Sequence, residues 1–252
     1  MPGHLERWTI RWPRALAKAM VPALLPCSCA LCGELAAHVV CVHCRARYAA
    51  PCGLRCACCA NPLNAGEAAG QRCGCCLAEP PAFDATVAAV DYGAPLDALV
   101  LGLKFGAQLP LAPWFGELLR DAVLMQPGWP LPDLLCPVPL GPRRLVERGF
   151  NQALEIARPL GAMLGVELQP RLATRTVDTV AQSGVSPRDR AGNIRGAFEV
   201  TLDMAHLVHG RHVGVVDDVM TSGHTLNELA ITLKAAGAAR VSNLVFARTP
   251  PH

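Results

Sequence analysis

From residue 86 onward the chain alternates short apolar runs with stretches in which apolar residues recur every three or four positions. The runs at 86–92, 134–138, 212–216 and 241–247 predict buried strands. The helical period predicts amphipathic helices over 96–105, 111–124, 144–164 and 225–236, the last stopped by Gly237. Strands separated by helices imply a mostly parallel sheet flanked by helices, an α/β fold. The stretch 174–193 is polar, carries Arg175, Gln182, Ser186, Arg188 and Arg190, and has no continuous period, which predicts a mobile loop.

The pattern changes ahead of Glu79-Pro80-Pro81, where apolar runs give way to cysteine, glycine and turn residues. In 1–26, Arg7, Arg11, Arg14 and Lys18 precede an apolar stretch broken by Pro22 and Pro26, which suits a short amphipathic helix better than a signal peptide. No run approaches the roughly 20 apolar residues that cross a bilayer, so a cytoplasmic protein without a membrane span is expected. The expected organisation is an N-terminal helix at 1–26, a cysteine-rich module at 27–78 and an α/β domain at 79–252. With 52% hydrophobic residues, 252 positions suffice for a substantial core. A net charge of +3 and 5% aromatic residues give little basis for binding nucleic acid by charge or base stacking alone.

Twelve of the 13 cysteines lie between Cys27 and Cys76, leaving only Cys136 in the larger region. Read in order they give Cys29-x-x-Cys32 with Cys41-x-x-Cys44, then Cys56-x-x-Cys59 with Cys73-x-x-Cys76. Each Cys-x-x-Cys turn offers two sulfurs to one ion, and two turns complete the tetrahedral site of structural zinc. Roughly 50 residues with few large apolar side chains need such a staple to fold. Cys27, Cys52, Cys58 and Cys75 are left over and allow other pairings. His38 and His43 are alternative ligands, and an iron-sulfur cluster is a further alternative.

The chemistry-bearing segment runs from His212 to Leu226, with Val213, Val215 and Val216 as a buried strand and Asp217 and Asp218 at its carboxyl end, where open α/β sheets bind ligands. Thr221, Ser222, Gly223, His224 and Thr225 then lead into a helix whose first backbone N–H groups suit an anion. Carboxylates beside an anion site suit a phosphorylated sugar, the aspartates accepting from ribose hydroxyls or holding hydrated magnesium. Phosphate-receiver domains and aspartyl-phosphate phosphatases also carry acidic strand ends. A phosphatase would want Asp-x-Asp spacing, however, and a receiver would place its pair early in the chain.

The form apolar-apolar-Asp-Asp-x-x-Thr-Ser-Gly-x-Thr over 215–225 resembles the sugar-diphosphate loop of type I phosphoribosyltransferases. The whole chain from about 27 to 249 resembles the ComF family, through Leu103-Lys104-Phe105, Pro137-Val-Pro-Leu-Gly-Pro-Arg-Arg144, Glu147-Arg-Gly-Phe-Asn-Gln152 and Asn193-Ile-Arg-Gly-Ala-Phe198. The resemblance implies a type I phosphoribosyltransferase fold joined to an N-terminal double zinc ribbon, in a setting of bacterial competence and DNA uptake. It further implies 5-phosphoribosyl 1-diphosphate and magnesium at Asp217 and Asp218. Arg143, Arg144 and Arg148 would then lie near the departing diphosphate, with Lys104 a further phosphate contact and Arg188 on a closing loop. Two functions follow as expectations: transfer of phosphoribosyl to an unidentified acceptor, or a non-enzymatic accessory role in which the ribbons engage single-stranded DNA, an uptake helicase or another partner protein. Ser222 and His224 stand where threonine and a small residue are usual, and Ala60 replaces the glycine that often follows a zinc knuckle.

Overall fold

A computed structural model describes residues 27–50, 53–63, 70–176 and 196–250. The predicted N-terminal helix at 1–26, Cys52 and Arg188, with most of the predicted loop, lie outside the described residues. The first elements among the described residues are a two-residue antiparallel pair, β1 (Cys27–Ser28) and β2 (Leu35–Ala36), followed by helices α1 (Val42–Tyr48) and α2 (Gly74–Ala78). Both helices start at a knuckle cysteine, Cys41 and Cys73 standing at the N-cap positions. The second half of each Cys-x-x-Cys pair therefore sits in the first helical turn.

Downstream come β3 (Ala85–Asp91), α3 (Leu96–Phe105), α4 (Leu111–Leu124), β4 (Leu134–Pro137), α5 (Pro142–Arg148) and α6 (Gln152–Leu164). They are followed by β5 (Glu167–Leu168), β6 (Ala173–Arg175), β7 (Phe198–Val200), α7 (Ala205–Val208), β8 (His212–Met220), α8 (His224–Ala235) and β9 (Arg240–Arg248). Five strands form one all-parallel sheet in the order β3-β9-β8-β4-β5. Its strands are buried nearly without alternation, as parallel strands covered on both faces must be. One face carries α8 through Leu226, Leu229 and Leu233, and the other carries α3, α4 and α6. Phe115 of α4 stacks on Phe246 of β9, with ring centroids 3.6 Å apart.

The cysteine module fastens to both faces. Cys29, Val40 and Cys44 join the α4 side of the core, while Cys56, Cys59 and Cys76 join the α8 side. Between them the module covers β3, an edge strand. Thr86 N–H donates to Ala57 O at 3.4 Å, and Arg55 pairs with Asp91 at 2.9 Å. An open sheet edge is a template for unwanted pairing, and covering it removes that hazard.

Three predicted elements require correction. The helix expected over 144–164 is two helices, because Gly149 turns left-handed (φ 77°) and the Asn151 side chain accepts from the N–H groups of Ala153 and Leu154 to start α6. The strand expected to stop at Val216 continues to Met220, since β9 offers ladder partners as far as Arg248, so Asp217 and Asp218 lie within the strand. The predicted loop begins as a strand, Ala173–Arg175 pairing antiparallel with Phe198–Val200, and Arg175 is buried.

Because Phe246 is fully buried under Trp114 and Phe115, Phe246→Ala should lower unfolding stability by about 3–5 kcal/mol, measured as a fall in the urea midpoint.

Candidate functional site

The carboxyl ends of β3, β4 and β8 open on one cavity of about 340 Å³, lined by Tyr92, Lys104, Arg144, Arg148, Arg175, Asp217, Asp218, Thr221 and Thr225 among others. Asp218 is buried and Asp217 half-buried. Backbone amides hold both in place, Asp218 N–H donating to Asp217 Oδ1 at 2.9 Å and Val219 N–H to Asp218 Oδ1 at 2.8 Å. Burial, and after it the adjacent Asp218 carboxylate, push the Asp217 carboxyl well above the usual carboxylate range, while Lys104 pulls it back. Lys104 Nζ lies 2.9 Å from Asp218 Oδ2, reaching in from the last turn of α3.

The cationic wall comes from α5, which follows the turn after β4. Arg144 and Arg148 both line the cavity, whereas Arg143 is exposed and does not. Arg148 is fixed on two sides: it donates to Gln152 Oε1 at 2.9 Å, and its guanidinium lies 5.1 Å from the Phe105 ring centroid. Arg175, placed by the β6–β7 pair, lies 5.5 Å from the Phe198 ring centroid. The arrangement suits an anion bearing hydroxyls, with cations on one side and acceptors on the other.

The loop expected to bind substrate is divided between two cavities. Thr221 and Thr225 face the acidic one, while Ser222, Gly223 and His224 border a second cavity of about 240 Å³ against the cysteine module. Ser222 Oγ and His224 Nδ1 are 3.1 Å apart. Gly223 is required by geometry. Its φ is 83°, and a Cβ there would stand 2.6 Å from Met220 Cε. Two residues at the site were missed by sequence reading. Tyr92 follows the end of β3, where the strand-end rule could have found it, whereas Arg248 lies in a polar strand end that carries no signal.

Among the cysteines the eight proposed ligands assemble in the two expected sets, Cys29-Cys32-Cys41-Cys44 and Cys56-Cys59-Cys73-Cys76, each with its sulfurs within 4.8 Å of one another. The sets repeat one geometry. Cys41 N–H donates to Cys29 Sγ at 3.3 Å and Cys73 N–H to Cys56 Sγ at 3.2 Å. After the first turn, Gly33 and Ala60 both adopt left-handed backbone, φ 77° and 56°. Burial raises Cys29 and Cys56, but backbone N–H groups outweigh it and bring the thiols down to about 6 and about 7. Cys59 and Cys76 are pushed upward, by burial first. A cation bound there would hold all four as thiolates, and four soft sulfurs match zinc. His38 and His43 are exposed and belong to neither set; Cys27 and Cys75 are exposed, and Cys58 is buried.

Fold and site together define a type I phosphoribosyltransferase fold carrying two N-terminal four-cysteine groups that can each hold zinc. The DNA utilization protein YhgH of Salmonella typhi is 39% identical over 180 residues, covering 70% of this chain and 78% of that protein, and its Escherichia coli K12 counterpart is 38% identical over the same span. Competence protein F of Haemophilus influenzae is 31% identical over 223 residues, covering 82% of this chain and 96% of its own. The chain belongs to the ComF family, that of competence protein F and these DNA utilization proteins. No model of a protein family matches the chain. Solved structures with some likeness include glutamine phosphoribosylpyrophosphate amidotransferase from B. subtilis, at 18% identity and TM-score 0.33, covering 52% of this chain and 25% of that one. Purine phosphoribosyltransferase from Pyrococcus horikoshii has 18% identity and TM-score 0.29, covering 57% and 84%. Scores this low carry no weight. No described helix is long and apolar enough to cross a membrane.

Two outcomes are expected. Metal analysis should find two zinc ions per chain, and one after the double substitution Cys56→Ser with Cys59→Ser. Asp217→Asn should raise the thermal midpoint of the ligand-free, magnesium-free protein at neutral pH. A carboxyl whose folded pKa is raised destabilises the fold wherever the unfolded chain would ionise it, so the gain should shrink as pH falls towards about 4.

Proposed function

We propose that the acidic cavity binds 5-phosphoribosyl 1-diphosphate with magnesium and that the protein transfers its phosphoribosyl group to a nitrogen acceptor, in the competence and DNA-utilization setting of its relatives. The observation that carries this is one cavity lined by consecutive carboxylates, Asp217 and Asp218, by Lys104, Arg144 and Arg148, and by Thr221 and Thr225 next to the start of α8. We assign the activity to 79–252 and the zinc-binding module to 27–78.

In this reading the N–H groups at the start of α8 and the hydroxyls of Thr221 and Thr225 take the 5-phosphate. Asp217 and Asp218 accept from the ribose hydroxyls. Their adjacent oxygens, in a place where burial first and the neighbouring carboxylate second push Asp217 upward, fit a hard divalent cation, and they are the residues that would hold magnesium. When bound, that ion supplies charge neutralisation at the diphosphate. Breaking the bond from the anomeric carbon to diphosphate leaves positive character on the ribose and added negative charge on the departing group. In this reading Arg144, Arg148 and Lys104 meet the latter and the carboxylates meet the former, a division supported by their sharing one cavity. The acceptor nitrogen bonds to the anomeric carbon as diphosphate leaves with the electron pair of the broken bond, and the nitrogen's proton passes to solvent water.

The relatives' names favour a second reading, in which the protein is a DNA-uptake accessory factor that binds single-stranded DNA or a partner protein and does no transfer. Calorimetry with the sugar diphosphate and magnesium separates the two in part. Binding is expected, weakened at least about tenfold by Asp217→Asn with Asp218→Asn; absence of heat at millimolar ligand would rule out the phosphoribosyl reading. Diphosphate release on addition of nucleobases, amines or nucleotides is the result that transfer requires and an accessory role does not.

A further inference from the structure

Arg248 is the last residue of β9, paired in register with Met220 of β8, and it is 95% buried, its relative exposure being 5%. Its guanidinium forms no ion pair among the described residues. It binds carbonyl oxygens instead. Nε donates to Cys59 O at 2.9 Å, and Nη1 donates to Met220 O at 3.1 Å and to the carbonyls of Thr221 and Thr249. A buried charge held mainly by carbonyl dipoles is costly, and it persists when something nearby balances it, here the side chain of Cys59, which meets the guanidinium by hydrogen bond and by charge. Four thiolates around one divalent zinc carry a net charge of about −2, and Cys59 belongs to such a set. Arg248 therefore stands as counter-ion to the second cysteine set while gripping the backbone at the start of the 221–225 loop.

Packing runs the same way. A Cβ at Gly223 would stand 2.6 Å from Met220 Cε and 3.9 Å from Phe83 Cζ, and Met220 and Phe83 share one apolar cluster with Cys56, Cys59 and Cys76. The second cavity has Ser222, Gly223 and His224 on one wall and Cys59, Cys75 and Cys76 on the other. The first cysteine set provides the contrast. It packs on the α4 side of the sheet, where Arg45 pairs with Glu117 at 3.3 Å and Asp121 at 2.7 Å, and it lines neither cavity at the loop.

We propose that Arg248 is a positioning residue through which the Cys56-Cys59-Cys73-Cys76 set fixes the phosphate loop, so that zinc in this second set and anion binding at residues 221–225 stabilise each other, while zinc in the first set is uncoupled. The proposal rests on the phosphoribosyl reading of the loop. Linkage between two binding events is reciprocal, so each ligand must change the other's affinity by one factor.

The test uses the full zinc-loaded chain with 5-phosphoribosyl 1-diphosphate and magnesium as the probe. In the native protein the probe should slow zinc loss to a coloured chelator about tenfold for one of the two ions and leave the other unchanged. Arg248→Met should weaken probe binding about tenfold and abolish the protection. Arg248→Lys, which keeps the charge and loses the planar fork, should fall between. Arg45→Met should change neither. A native chain that binds the probe yet loses both ions at unaltered rates overturns the linkage alone, as does an Arg248→Met chain with native affinity and native protection. A native chain that does not bind the probe overturns the phosphoribosyl reading, and the linkage falls with it. Should Arg248→Met fail to fold, the native zinc-release experiment and Arg248→Lys decide the matter.

Discussion

Two carboxylates on consecutive residues, at the end of a strand buried on both faces, repel one another in a place where water can do little to separate them. Much of the site is arranged around that repulsion. Lys104 is sent in from the end of α3 to meet Asp218, backbone amides of the strand itself turn towards the carboxylate oxygens, and Arg144 and Arg148 gather on the facing wall. A cavity so polarised has little use as a structural joint, since burial and the neighbouring Asp218 carboxylate make the Asp217 carboxyl costly to ionise in the ligand-free fold. Stability is given up at Asp217 so that charge stands ready for a ligand.

The second organising constraint is how little apolar material the cysteine module owns. Its sulfurs are its core, and those sulfurs are shared with the larger domain on both faces of the sheet. Two copies of one geometry, each with a cysteine N-cap and a left-handed residue after the first turn, meet opposite sides of the same edge strand. The module thus acts as a bracket on the sheet, with Arg55 and Ala57 meeting β3 directly.

Much of this was legible in the sequence where the signal was local. Helices α3 and α4 fall at the expected positions, since an uninterrupted apolar period between turn residues leaves little freedom. The eight ligand cysteines were readable because Cys-x-x-Cys spacing is itself geometry. Legibility failed where a partner distant in sequence decides the outcome. β8 runs on past Val216 because β9 accompanies it, Arg175 is buried because Phe198 and its neighbours pair with it, and the roles of Ser222 and Thr221 diverge because the cysteine module occupies the space behind the loop. Gly149 marked a break that periodicity did not show, since the helix before it buries no residue and so presents no apolar face to set against that of α6. Arg248 gave no sign at all, its four carbonyl partners being spread from Cys59 to Thr249.

The strand order carries a consequence for how the chain reaches its shape. β3 is among the first sheet strands to be made, yet among the described residues its one strand neighbour in the sheet is β9, which follows every other described strand. Ordered pairing across that distance closes a very long loop, so the search should be slow, and the partly assembled chain leaves a hydrophobic parallel edge waiting. Ala57 and Arg55 reach that edge from a short distance in sequence. The cysteine module is therefore placed to cover β3 before β9 arrives.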